Sequence, residues 1–208
     1  MKGSKTKQRL LQTGLDLMSV HGVGGVTLGQ LATATSMSKS GLFAHFRSKE
    51  QLQIELLDSM AMTASRFILE PAMLAPPGLR RLRSVMEHWR GWWRRAGLAG
   101  GCPIAGAFFE LDDVEGDLRD HVAGMEREWR DHLATIVREV IALGELSAAT
   151  DVDQFVWEMS ANYLGHHVSS RFLRSDEADA HARRAFEGLI QSHLPGATGA
   201  AVAARKAS

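Results

Sequence analysis

Three helix-start signals crowd into residues 27–51, and they constrain the chain more than any other feature. Thr27 is followed three residues on by Gln30, Ser38 precedes Lys39-Ser40-Gly41, and Ser48 is followed three residues on by Gln51. A Ser or Thr at such a position accepts a hydrogen bond from an otherwise unpaired amide of a helix's first turn, and a Gln three residues later can reach back. The helices between these caps must be short. Leu28 and Leu31 face inward from the first, and Ala34-Thr35-Ser36-Met37 is a turn. Leu42 and Phe46, four apart, share the buried face of the next. Upstream, Leu11, Leu15 and Met18 recur at helical spacing, with Leu10 and Leu17 widening the stripe. Gly22 stops that helix, and Gly22-Val23-Gly24-Gly25 is a loop. Ser48 opens a long helix carrying Leu52, Leu56, Leu57 and Met60, expected to run to about Leu69 before Pro71. Three short helices with a tight turn before the third form a helix-turn-helix.

The rest of the 208 residues also reads as helix. Expected segments are Gly78 to Ala96, Ile104 to Leu111, Leu118 to about Leu143, Asp151 to about Leu173, and Ser175 to near Leu194. No convincing strand pattern or internal repeat appears. The fold class is all-α, with a helix-turn-helix domain over 1–50 and a larger helical domain over 51–195. Residues 196–208, rich in Ala and Gly, are expected to be disordered.

The formal net charge is zero, which by itself argues against nucleic acid. The zero is a sum of unlike parts. Residues 1–50 carry seven basic side chains against two acidic ones, and the remainder carries a matching acidic excess. A basic first quarter on an acidic body suits a small module that meets a polyanion. One cysteine excludes an intrachain disulfide and fits a reducing compartment. No signal core or membrane span is evident, so the expected location is the cytoplasm.

The stretch Thr27-Leu28-Gly29-Gln30-Leu31-Ala32, with Met37-Ser38-Lys39-Ser40-Gly41-Leu42-Phe43-Ala44-His45-Phe46-Arg47-Ser48-Lys49-Glu50-Gln51-Leu52, closely resembles the N-terminal domain of TetR-family transcriptional regulators. The resemblance implies that the third helix enters the major groove of a palindromic operator, one helix from each copy of a homodimer. Short polar residues then belong at its N-terminal end. Ser38 and Ser40 supply hydroxyls, and Lys39 a charged donor for a base or phosphate. Gly41 lets the backbone approach, and His45 can donate to a phosphate or be an ordinary surface residue. Lys49 matches a phosphate-contacting position of the family. Thr27 is a cap first and a phosphate contact second. Two departures stand out. Phe43 occupies a position where the family usually has a phosphate-bonding tyrosine, and Ser36 stands near a place where it often has glycine.

Elsewhere the sequence offers little chemistry. His166 and His167 are adjacent and cannot share a metal in the H-x3-H manner. The acidic turn at Asp112, Asp113, Glu115 and Asp117 lacks calcium-loop spacing, and Cys102 reads as a buried thiol. Neither metal nor cofactor is expected, and no catalytic residues can be singled out. The aromatic residues are more telling. Trp89, Trp93, Trp129 and Trp157 fall on apparently inward stripes, with Phe108 and Phe109 on a short helix between. Such rings can wall a cavity for a small apolar or aromatic effector or form a solid core. Asn162 and His166, four apart, can sit on a pocket-facing stripe. The resemblance implies an inducer pocket among the middle helices and a four-helix dimer interface from the last two long helices. Phe155, Met159, Tyr163, Leu189 and Ile190 are the expected interface residues, as apolar stripes that would need a partner. The leading expectation is a ligand-responsive repressor, released when ligand shifts the long fourth helix and spoils the half-site spacing. The alternative is a helical small-molecule-binding or ligand-modifying protein with a vestigial DNA-binding domain.

Overall fold

A computed structural model of the chain describes residues 2–196, with side chains from Lys5 onward. All but Gly196 of the expected tail lies outside the described residues. The order is α1 (Lys2–Gly25), α2 (Leu28–Thr35), α3 (Lys39–Phe43), α4 (Lys49–Met73), α5 (Leu79–Trp89), α6 (Trp92–Arg95), α7 (Pro103–Glu110), α8 (Asp117–Ala142), α9 (Val152–His167) and α10 (Ala178–Ser192). A π-helical turn, Val168–Phe172, follows α9. No strand occurs among the described residues, and none of their helices is long and apolar enough to cross a membrane. The chain forms two compact units, Met1–Phe67 with Trp92–Glu126, and Ile68–Gly91 with Arg127–Ser208.

In the first unit, Leu10, Leu15 and Met18 of α1 are buried with Leu31, Leu42, Phe46, Leu52 and Leu56. Burying each such side chain contributes about 1.5–3 kcal/mol, which is what a helix as short as α3 needs to persist. The kink falls at Gly22, where the helix stop was expected, but the expected loop over Gly22–Gly25 is corrected: these residues form a last helical turn of α1 beyond the kink. Gly22 has φ 76° and ψ 174°, outside helical space, although helical hydrogen bonding resumes to Gly25. The fourth helix runs further than expected, through Pro71 to Met73. Proline costs a helix one donor, and in the last turn little helix remains to lose it. Leu74 and Ala75 then close tighter turns on Pro71 and Ala72.

One expected helix is two. The segment 78–96 breaks after Trp89, with Arg90 extended and Gly91 at φ 62°. Glycine adopts that left-handed conformation without the penalty other residues carry, and its place inside the apolar run was the overlooked sign. Trp92 and Trp93 thereby leave the α5 stripe and are buried in the first unit.

In the second unit, α9 packs on α10 and α5. Phe155, Met159, Tyr163, Leu189 and Ile190 are all buried within their own chain. The expectation that they form an exposed stripe is therefore corrected: pairing α9 with α10 covers that face. Trp157 is 55% exposed, which corrects its inward assignment, because two residues from both Phe155 and Met159 put it about 200° around the helix from their line. Phe109 is likewise outward at 66% exposure.

Candidate nucleic-acid interface

Short helices need their ends satisfied, and here each start is. Thr27 Oγ1 accepts from Gln30 N at 3.2 Å, while Gln30 Oε1 accepts from Thr27 N at 3.0 Å. Ser38 Oγ accepts from Gly41 N at 3.1 Å and lies 3.1 Å from Ser40 Oγ. Ser48 Oγ accepts from Gln51 N at 3.0 Å. The Gln51 side chain reaches one residue further back than a capping box requires, accepting from Arg47 N at 2.8 Å. Between α2 and α3, Ser36 takes φ 55° and ψ 34°, the left-handed conformation that glycine adopts most readily. Its N–H bonds back to Ala32 and Thr33, offsetting part of the roughly 1–2 kcal/mol that a left-handed non-glycine costs.

These caps fix a surface. Leu42 and Phe46 are fully buried, so α3 is held by its inner face. Its other face presents Lys39, Ser40 and Phe43, with Ser38 at its start, all exposed. Phe43 is 54% exposed and has no hydroxyl to offer a phosphate. Gly41 and His45 are half-buried. A Cβ on Gly29 would stand 3.8 Å from Thr27 Oγ1 and 3.9 Å from Lys39 Cε, so the Lys39 stem runs beside the start of α2. Thr27, Lys39 and the short polar residues of α3 thus share one neighbourhood. Lys7 is occupied elsewhere, pairing with Glu55 at 2.7 Å and lying over the Phe46 ring.

Lys49 stands at the first position of α4, and its Nζ donates to Gly24 O at 2.9 Å. That tie belongs to a set of contacts around the kinked last turn of α1, residues 22–25, which sequence reasoning missed. Gln53 Nε2 donates to Val23 O at 2.6 Å. Glu110, at the end of α7, accepts from Val23 N at 3.2 Å and Gly24 N at 2.9 Å. The Gly22 kink takes the Val23 and Gly24 amides off the helix ladder, so they need other acceptors. Nothing in the sequence linked them to an acid more than eighty residues away. The same holds for Ser19, whose Oγ accepts from Gly100 N at 2.9 Å and whose carbonyl accepts from Gly101 N at 3.1 Å.

The aromatic residues divide between the units. In the second, Trp89 stacks on Tyr163 with centroids 4.3 Å apart and meets Trp129 edge-on at 4.9 Å. Asn162 Nδ2 donates to Ala182 O at 3.0 Å, while its buried Oδ1 has no partner. Buried His166 lies 2.7 Å from Asp179 through Nε2. Burial, then the neighbouring Arg171 and His166, pushes the His167 pKa down to about 4. Trp93 and half-buried Phe108 belong to the first unit. An open groove of about 580 Å³ in the second unit is lined by Leu69, Met73, Arg81, Thr135, Ile136 and Glu139 among others, and by none of the expected pocket residues. No cluster of metal-ligating side chains forms among the described residues.

An all-helical chain whose capped head presents a short polar helix belongs to the helix-turn-helix class of transcriptional regulators. Residues 10–56 match the family described as "Bacterial regulatory proteins, tetR family", and residues 78–186 match "Tetracyclin repressor-like, C-terminal domain". The chain belongs to the TetR family. It is similar to the transcriptional regulator AcuR of Cereibacter sphaeroides, 27% identical over 153 residues, spanning 72% of this chain and 69% of AcuR. A TetR transcriptional regulator from Chloroflexus aurantiacus is 27% identical, with a TM-score of 0.81 over 92% of this chain and 95% of that one. The same fold occurs in CifR, solved as a cysteine mutant with 26 bp double-strand operator DNA, at 22% identity and a TM-score of 0.72 over 86% of this chain and 94% of that one.

Proposed function

We propose that this regulator is a ligand-responsive repressor that binds a palindromic operator as a homodimer in the cytoplasm and leaves it when a small apolar or aromatic effector binds. It acts by binding, not by catalysis. The observation that carries this reading is the outer face of α3, where Lys39 and Ser40 stand exposed beside Thr27 on a scaffold locked by three side-chain caps. Lys39 donates to a base edge or phosphate, Lys49 and Thr27 to the flanking backbone, and Ser38, Ser40 and His45 supply further donors. Gly41 allows close approach, and Phe43 packs its ring on the sugar-phosphate chain. That CifR binds operator DNA in the same fold supports this reading.

For the effector we propose the aromatic centre of the second unit, Trp89 and Trp129 with Asn162 and His166 on α9. Unpartnered Asn162 Oδ1 and Trp129 Nε1 supply polar contacts in an otherwise apolar setting. For the second copy we propose the outer stripe of α9 and its π-helical continuation, Trp157, Val168 and Phe172, all exposed in the single chain. The test is selection of bound DNA from a random pool, followed by titration of Lys39→Ala and Lys49→Ala on the recovered operator. Each is expected to bind about tenfold more weakly and to flatten the salt dependence by about one phosphate contact. Unchanged affinity and slope in both variants sinks the docking mode.

A further inference from the structure

The last turn of α1, residues 22–25 beyond the Gly22 kink, is held from two sides. Its carbonyls are taken by α4, through Gln53 on Val23 O and Lys49 on Gly24 O. Its amides are taken by α7, where both Glu110 oxygens receive successive N–H groups from Val23 and Gly24. Successive amides converging on one anion form a nest, and a carboxylate with two such bonds is more strongly held than a neutral acceptor would be. The fit requires a bare backbone: a Cβ on Gly22, at φ 76°, would stand 2.2 Å from Glu110 Oε1. Gly24 is the shared member. Its N–H is fixed by Glu110, and its C=O receives the Lys49 ammonium.

We propose that Glu110 is a positioning residue for operator binding, which acts through Gly24 to fix the ammonium of Lys49 at the start of α4. A lysine ammonium on a four-carbon stem has many rotamers, and a held carbonyl selects one of them. That carbonyl accepts one of the three ammonium protons, leaving two to donate to a phosphate. Release of the Val23 and Gly24 amides lets Gly24 turn, and Lys49 loses the anchor that pre-sets it. Glu110 touches no DNA in this account. It lies in α7, outside the helix-turn-helix segment, and is the route by which α7 reaches a phosphate contact.

This rests on the assignment of Lys49 to a phosphate, and a double-mutant cycle on the selected operator separates the two. Glu110→Gln keeps the size of the side chain and one acceptor while removing the charge and the second acceptor. It is expected to weaken operator binding about three- to tenfold and to flatten the salt dependence by about one phosphate contact, as Lys49→Ala does. In the Lys49→Ala background it is expected to change neither. A Glu110→Gln loss that leaves the salt slope intact and multiplies with that of Lys49→Ala overturns the proposal, and so does unchanged or tighter binding. If Lys49→Ala itself is silent, the phosphate assignment fails and takes this proposal with it. A measurement on the wild-type chain needs no variant to fold. The Val23 and Gly24 amides are expected to exchange with solvent deuterium at least about a hundredfold more slowly than open loop amides, and free exchange overturns the clamp.

Discussion

Gly100→Ala should be among the most damaging single-methyl changes in this chain, and the reason is geometric. Gly100 sits against the end of α1, donating to Ser19 Oγ at 2.9 Å, while Gly101 donates to Ser19 O at 3.1 Å. A Cβ on Gly100 would stand 1.7 Å from Ser19 O, 2.1 Å from its carbonyl carbon and 2.7 Å from Val20 N, all backbone atoms. Restoring an ordinary C···O approach of about 3.3 Å moves the two segments apart by about 1.6 Å. At that separation both hydrogen bonds are gone. Each contributes about 1 kcal/mol net, and the overpacking adds about 1–3 kcal/mol, for a loss of about 3–5 kcal/mol. Domains of this kind hold only about 5–15 kcal/mol in total. Urea unfolding followed by tryptophan emission reads the change, since Trp92 and Trp93 are buried in the same unit. The midpoint should fall by about 2 M at an ordinary slope. Ser19→Ala is the control: it removes only the side-chain bond and should cost about 1 kcal/mol. A Gly100→Ala loss no larger than that of Ser19→Ala would refute the close approach.

Two further outcomes follow from the second unit. If the chain assembles as proposed, Trp157→Asp with Phe172→Asp is expected to give monomer in sedimentation equilibrium where the wild type gives dimer, with the helical signal intact; a variant that stays dimeric places the interface elsewhere. The His167 pKa, lowered to about 4 in the folded chain against an ordinary 6.5, gives stability that is complete above about pH 6.5 and is lost as the pH falls toward 4, because the unfolded chain takes up the proton first. With part of the ring open to solvent, the loss should be about 1–2 kcal/mol, read as the difference in urea midpoint between pH 7 and pH 4.5; His167→Gln should remove that part of the pH dependence.

The head was largely legible because its information is local. A cap bonds within three residues, so Thr27, Ser38 and Ser48 announced their helices without reference to the rest of the chain. Even the strained turn could be anticipated, since Ser36 stood near a place where relatives often have glycine. What could not be read was non-local. Glu110 and the last turn of α1, or Gly100 and Ser19, meet through backbone amides that carry no residue identity. Gly91 carried a signal, but an apolar run on both sides outweighed it. The acidic balance of the body and the basic balance of residues 1–50 were visible in the sequence, and Lys39 and Lys49 are among the exposed cations of that first segment.

The last two helices show a different limit, and it bears on how the chain assembles. α9 carries apolar residues on more than one face: Phe155, Met159 and Tyr163 along one line, Trp157, Leu164 and Val168 along another. Each of these two apolar lines needs cover. Periodicity shows that both lines exist but not which of them the chain covers itself. The folded chain resolves this, since α10 lies over the first line and leaves Trp157 at 55% and Phe172 at 83% exposure. Truncating Phe155 or Met159 would therefore open a cavity and unfold the unit without informing on assembly. Truncating Trp157, more than half of which is exposed, takes much less packing from the single chain. An apolar stripe that is dispensable to the monomer yet costly to leave in water is the surface a second copy is best suited to cover.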